Sequence, residues 1–153
     1  MERKKVLTEY RKLARKYKLP PLEEIEEEFG ILIREPVNFL GDFISHLLDR
    51  FNGLASHMAS VIQPNRLDQM IEAKFYSDEE KEEFLKFMQR LMHHLHLLVA
   101  SLYEGEKERA KAFLKAYSFY KKEVKKFAKD FLKEQARKWM EEESTREIET
   151  YFG

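Results

Sequence analysis

The feature that most constrains the fold is a long apolar seam in the last third of the chain. Between residues 113 and 131, large apolar residues recur at intervals of four, three, four, three and four positions. This spacing puts them on one side of an α-helix and is typical of a helix packed lengthwise against another helix. We predict that the seam and Trp139 bind a partner helix, in the same chain or in a second copy. The seam residues are Phe113, Tyr117, Tyr120, Val124, Phe127 and Phe131.

The helix that carries the seam is predicted to run from residue 106 to about residue 143. A helix of roughly 37 residues is about 55 Å long, whereas a compact chain of this size is only about 38 Å across. Either the helix breaks, with Ser118 as the weakest position, or its free end packs against a second copy. In the second case Trp139 and Met140 enter the contact. We favour a homodimer, because two-fold pairs are the commonest oligomers.

The rest of the chain also follows a helical period. Pro20 and Pro21 end a first helix, and a short acidic second helix ends at Gly30. The segment 31–35 has the one strand-like pattern, but a single strand has no bonding partner, so we expect an extended connector. A broad apolar stripe predicts a core helix from Pro36 to about Ile62.

Two further helices are indicated before the long one, and a short one after it. A shorter helix near residues 66–75 is expected to bury Leu67, Met70 and Ile71. Ser77 and Glu80 form a capping box that opens a helix running to about residue 103, with Leu102 on its buried side. The same capping pattern recurs at Ser144 and Glu147. The chain is therefore predicted to be all-α, a single domain over 1–153, built as a bundle of about four principal helices with short extra ones.

The amino-acid composition indicates the cellular compartment in which the chain works. The chain contains no cysteine, which excludes disulfides and thiolate chemistry and favours a reducing compartment. Its start is charged and lacks the apolar core of a secretion signal, and no uncharged run reaches the roughly 18 residues that span a bilayer. We therefore expect a cytoplasmic protein that does not enter membranes. The many Lys and Glu residues give a balance enriched in proteins from hot environments.

Charge is uneven although the formal total is zero. Residues 1–19 carry 8 basic and 2 acidic groups, and residues 105–140 carry 12 basic and 5 acidic groups. These segments could face a polyanion, and the acidic segments 20–35, 72–83 and 141–153 could neutralise them instead. Around residues 121–130 the cations are all lysines and the aromatic residue lies on the seam. Nucleic acid is therefore a possible partner but not the favoured one.

Three histidines stand close together in the segment LMHHLHLLVA, residues 91–100. On a helix whose leucines point inward, His93, His94 and His96 point in three different directions. His93 and His96 alone are neighbours at three positions and would need further ligands, which His46 or His57 together with Asp42 or Asp49 could supply. No carboxylate-histidine bundle motif occurs. We predict no cofactor and keep a metal site at His46, His93 and His96 as an alternative.

Two arginine-histidine pairs offer an enzymatic alternative. Arg50 with His57, and Arg90 with His96, have the spacing found in the HEPN ribonucleases, which are helical dimers, and the chain resembles that family in these pairs. Phe51 and Leu91 occupy the positions where the family commonly carries a polar residue. The resemblance implies that an arginine binds phosphate and a histidine acts in acid or base catalysis.

No phosphate-binding loop and no nucleophile elbow occurs in the sequence. The prediction we retain is a non-catalytic helical interaction or regulatory module. It self-associates through its long C-terminal helix and could also bind another protein.

Overall fold

The computed structural model describes residues 2–141 and is all-helical over that range. This confirms the predicted fold class. The helices are α1 (Glu2–Tyr17), α2 (Leu22–Phe29), α3 (Phe39–Ile62), α4 (Leu67–Ala73), α5 (Asp78–Ser101), α6 (Glu106–Phe119) and α7 (Lys125–Trp139), and a π turn (Tyr120–Val124) joins the last two. Within the described part of the chain no helix has the length and low polarity needed to cross a membrane.

The helix ends follow the local signals in the sequence. Gly30 closes α2 in the left-handed conformation at φ 65°, where a residue without Cβ is favoured. At the start of α5, the Ser77 N–H donates to the Glu80 carboxylate at 3.0 Å and the Glu80 N–H donates to the Ser77 hydroxyl at 3.1 Å. These reciprocal bonds confirm the predicted capping box. The second predicted box, Ser144 with Glu147, lies outside the described residues.

The long C-terminal helix is continuous rather than broken at Ser118. The π turn begins two residues later, and the N–H of Lys125 donates to the Tyr120 carbonyl five residues back. Such a turn fits one additional residue into the helix without ending it. Together with the π turn, α6 and α7 therefore form one helix from Glu106 to Trp139.

Residue contacts divide the chain into two compact units. Unit 1 comprises residues 1–50 and 95–118, and unit 2 comprises residues 51–94 and 119–153, so α3 and α5 each contribute residues to both. The prediction of a single domain over 1–153 stays a prediction.

Unit 1 has an aromatic core. The ring of Phe43 lies 5.9 Å from Tyr10 and 5.4 Å from Phe113, and all three side chains are fully buried. At its edge Arg3 donates to both oxygens of Glu26, at 2.8 and 2.5 Å, and the Ile33 N–H donates to the same carboxylate at 2.8 Å. Burial opposes charge on Glu26, yet these hydrogen bonds outweigh it and hold the pKa of the carboxyl below its usual value. Glu26 thus attaches α1 and the 31–34 connector to α2.

Unit 2 also has an aromatic core, with one unsatisfied polar atom inside it. Phe131 lies 5.0 Å from Phe84 and 5.8 Å from Tyr76. The Tyr76 hydroxyl is buried and has no hydrogen-bond partner among the described residues. Burial in this cluster raises the pKa of the phenol well above its usual value, and nearby carboxylates add to the effect.

Three residues predicted to be buried are exposed instead. Leu67 and Met70 are each 40% exposed, because α4 has fewer than two full turns and buries one side only, where Ile71 lies. Leu102 is 43% exposed because α5 ends at Ser101, one residue before it. In α4 and at the end of α5, the helical period predicted burial for residues that do not lie on the buried side of the helix.

Candidate functional site

Most of the residues predicted to bind a partner belong to the core of the chain. Phe113 and Tyr117 are buried in unit 1, and Tyr120, Val124 and Phe131 are buried in unit 2. Phe127 is half-buried, and its ring stacks on Phe87 at 3.9 Å. Of the two arrangements that the spacing left open, the structure shows the internal one for these side chains. Their role in binding a second copy stays a prediction.

Trp139 also has partners inside its own unit. Its indole N–H donates to the Glu72 carboxylate at 3.0 Å, and its ring meets Phe75 edge-on at 5.4 Å. The side chain is half-buried, whereas the following Met140 is 86% exposed. Trp139 therefore joins the end of α7 to α4 and the turn after it.

The histidines do not form a metal centre in the described residues. The ring of His46 stacks on Phe29 at 5.6 Å, while His93 and His96 are exposed on α5. Over residues 2–141 no group of three or more His, Cys, Asp or Glu side chains could hold a metal ion. The alternative of a metal site at His46, His93 and His96 stays a prediction for a site that a second copy would complete. Within the chain, the ring of His46 packs against Phe29, and the ring of His93 meets that of His94 edge-on at 5.4 Å.

Arg90 is occupied by contacts within unit 2. Its guanidinium donates to the Glu123 carboxylate at 2.5 Å and lies 5.2 Å from the centre of the Phe119 ring. The ring of His94 stacks on Phe119 at 4.2 Å. Arg90 and His94 thus pack around the aromatic residue that precedes the π turn. This geometry fits a residue that fixes the long helix better than one that awaits a phosphate.

The other residues of the enzymatic alternative are on the surface. Arg50 and His57 are exposed on α3, and His96 is exposed on α5. Catalysis needs a base within hydrogen-bond reach of the proton that it takes and a site that limits water. These residues remain a predicted alternative.

A pocket of about 400 Å³ lies in unit 1. Its charged side chains pair with one another: Lys12 lies 3.0 Å from Glu9, and Lys16 lies 3.4 Å from Glu106. Tyr17 also donates to Glu106, at 2.8 Å, and these contacts hold the pKa of that carboxyl below its usual value. The pocket is therefore a surface groove held by local ion pairs. Its lining residues are Glu9, Lys12, Leu13, Lys16, Pro36, Asn38, Phe39, Leu40, Glu106 and Arg109.

The most distinctive exposed surface lies on the last two turns of α5 and the turn that follows. From His96 to Tyr103 every exposed residue is uncharged, and the next residue, the exposed Glu104, is charged, as is 37% of the whole chain. Leu97 is 42% exposed and Tyr103 is 89% exposed. We call this the neutral surface, and it belongs entirely to unit 1. It consists of His96, Leu97, Val99, Ala100, Leu102 and Tyr103.

The sequence alone does not show that the neutral surface is exposed, because the helical period does not say which sides of α5 are covered. A simpler signal was present: no charged residue occurs from position 91 to position 103. A helix that is uncharged all round is either buried on all sides or exposes an apolar face. The structure shows the second case, since Leu98 is fully buried and its neighbour Leu97 is exposed.

Comparison of the chain with protein-family models, with curated proteins and with solved structures gives no match.

Proposed function

We propose that this protein is a non-catalytic helical interaction module that self-associates through the neutral surface of α5. The observation that carries the proposal is the exposure of Leu97, Val99 and Tyr103 on a stretch without charge. Leaving such side chains in water costs free energy that burial against a partner recovers, at about 25 cal/mol per Å². The sequence predicted self-association through the long C-terminal helix. We propose α5 instead, because the seam side chains are already packed inside the chain.

A second copy is the partner that fits this surface best. In a two-fold contact the same surface meets itself, so a surface with net charge repels its own copy and a neutral one does not. The neutral surface carries no charge at any exposed position. We therefore propose an isologous pairing of the ends of two α5 helices.

The size of the surface sets the expected strength. The stretch from His96 to Tyr103 is about 11 Å long and about 10 Å wide. A stable complex typically buries about 800 Å² on each partner, several times this footprint. We expect a weak, concentration-dependent dimer with a dissociation constant in the micromolar range or above.

Sedimentation velocity over a wide concentration range tests the proposal. We expect the wild-type chain to shift from monomer to dimer, and Leu97→Glu to weaken the dimer at least about tenfold, since each substitution acts twice per dimer. Leu132→Glu is the matched control, because Leu132 on α7 is 41% exposed and lies outside the neutral surface. A wild-type monomer at all concentrations, or equal effects of the two substitutions, would contradict the proposal.

The working compartment is part of the same proposal. We propose that the module acts in the cytoplasm, because the chain has no cysteine to protect or to pair. Microscopy of a fluorescent fusion in its native cell tests this, and a signal outside the cytoplasm would contradict it.

A further inference from the structure

A row of lysines runs along the exposed side of the π turn and α7. Its four members recur at intervals of four, three and four residues and are all exposed. The row is about 16 Å long, at 1.5 Å of rise per residue. Val124 and Phe131 are buried on the other side of the same helix. The lysine row consists of Lys122, Lys126, Lys129 and Lys133.

The acidic residues beside the row are largely engaged by arginines. Glu123 accepts a hydrogen bond from Arg90 at 2.5 Å, and Glu134 accepts one from Arg137 at 2.5 Å. Arg137 also contacts Glu141, and its hydrogen bond to Glu134 holds the pKa of that carboxyl below its usual value, with the charge of Lys138 adding to the effect. The four lysines make no ion pair with any residue in the described part of the chain. Asp130, next to Lys129, is also exposed, as is Glu123, next to Lys122.

Positive charges three and four residues apart on a helix repel one another and destabilise it. The lysine row therefore weakens the helix unless anions neutralise it. The four lysines take no part in the buried side of the helix, where Val124 and Phe131 lie. An anionic partner would remove the repulsion along the whole row at once.

The geometry points to nucleic acid as that partner: we propose that the lysine row binds the phosphate backbone of a duplex without reading its sequence. Each strand carries one negative charge per about 3.4 Å, a regular line of charge that a straight row of cations can follow. Lysine is a point charge, and the row contains neither arginine forks nor exposed aromatic rings for base contacts. The proposal is independent of self-association through α5.

A membrane surface fits this helix less well. An amphipathic helix that lies on a bilayer inserts a broad apolar side between the lipids. On α7 the apolar side is packed inside unit 2, and Leu132 is the only large apolar side chain exposed in the range Lys125–Trp139. A lipid surface could therefore attract the lysines only by charge.

Fluorescence anisotropy with a labelled, mixed-sequence DNA duplex of about 20 base pairs tests the proposal. If four lysines each neutralise one phosphate, the logarithm of the binding constant falls with the logarithm of salt concentration at a slope of about −3.6. Affinity should then drop roughly 100-fold between 50 and 200 mM salt. Shuffling the sequence of the duplex should leave the affinity unchanged within about twofold.

Two quadruple variants separate the lysine row from general charge. The first replaces the row (Lys122→Gln, Lys126→Gln, Lys129→Gln and Lys133→Gln), and glutamine keeps helix propensity close to that of lysine. The matched control replaces four exposed cations of α1: Lys4→Gln, Lys5→Gln, Arg11→Gln and Arg15→Gln. Both variants remove four positive charges, and circular dichroism checks that both remain folded.

We expect the row variant to bind the duplex at least about tenfold more weakly at 50 mM salt and to lose most of the salt slope. The α1 variant should retain both the affinity and the slope. Equal losses in the two variants would overturn the proposal, because they would indicate an effect of net charge. Wild-type binding to phosphatidylserine vesicles without binding to the duplex would overturn it as well.

Discussion

The exposed sides of α5 and of α7 differ in charge, whereas the buried sides of both helices are apolar. Both helices bury apolar residues, Leu91 and Leu98 on α5 and Phe131 on α7. At its C-terminal end α5 exposes uncharged side chains, whereas α7 exposes lysines whose neighbouring carboxylates are mostly held by arginines.

The difference separates two physical roles. A neutral surface gains free energy by leaving water and can meet its own copy without repulsion. A lysine row gains nothing from its own copy and is relieved only by anions. The buried periodicity therefore accounts for folding, while the exposed residues of each helix determine which partner can bind.

The largest difference in stability is expected between alanine substitutions at two neighbouring leucines of α5. Leu98 is fully buried and Leu97 is 42% exposed. We expect Leu98→Ala to lower the free energy of unfolding by about 2–5 kcal/mol and Leu97→Ala by no more than about 0.5 kcal/mol. Urea unfolding at a concentration where the chain is monomeric measures both. Similar losses would show that the neutral surface is not a free surface.

A smaller loss of stability is expected when the buried carboxylate of unit 1 is neutralised. Unlike the lysines of the row, this carboxylate has hydrogen-bond partners. Glu26→Gln should cost about 1–3 kcal/mol, because it weakens the bonds from Arg3 and from the Ile33 N–H. The exposed neighbour provides a control, Glu27→Gln, which we expect to change stability by less than about 0.5 kcal/mol.

The lowered pKa of Glu26 also predicts how its contribution to stability depends on pH. The folded pKa of Glu26 is lowered, so its stabilisation is fully present above the ordinary pKa of the carboxyl and is lost as pH falls through the lowered value. The stability difference between wild type and Glu26→Gln should therefore shrink on acidification below about pH 4. A constant difference from pH 6 to pH 3 would contradict the assignment of the charge to Glu26.

The next effect concerns an unpaired polar group in the interior of unit 2. Tyr76→Phe removes a buried hydroxyl that has no partner among the described residues, so we expect a gain of about 1 kcal/mol in the free energy of unfolding. Tyr117→Phe is the opposite case, because the Tyr117 hydroxyl donates to Glu24 at 2.9 Å and its loss should destabilise the chain. Thermal unfolding of both variants should give shifts of opposite sign.

The smallest effect should come from the lysine row itself. Lys129 has lysines three or four positions away on both sides, at 125, 126 and 133. Lys129→Gln should raise stability by roughly 0.2–0.5 kcal/mol at low salt, and the gain should disappear near 1 M salt because the repulsion is screened. If Lys129→Gln destabilises the chain at low salt, the row contributes to folding and our contrast with α5 is wrong.

Local signals in the sequence predicted the framework well. The capping box at Ser77 and Glu80 and the left-handed Gly30 depend on contacts within a few residues, so the sequence contains all that they need. The π turn had no such signal. It lies directly after Phe119, whose ring packs against Phe51 and Phe87 from distant parts of the chain.

The candidate surfaces were only half-predictable. The uncharged run 91–103 and the lysines of residues 122–133 are plain in the sequence. The sequence does not show which residues of these two runs face water. The helical period gives relative directions around the helix axis, but it does not say how many sides of the helix are covered. Leu97 and Leu98 illustrate this, since composition treats them alike and packing buries only one of them.

The sequence by itself determined that the chain is helical, where most of its helices begin and end, and which residues share a side of each helix. These properties follow from backbone sterics, capping and periodicity, all of which act over one or two turns. Tertiary structure alone decided that the seam is packed within the chain, that Arg90 pairs with Glu123, and that the end of α5 remains uncovered. Those outcomes depend on contacts between residues far apart in sequence, and burial is a property of the assembled units rather than of any one helix.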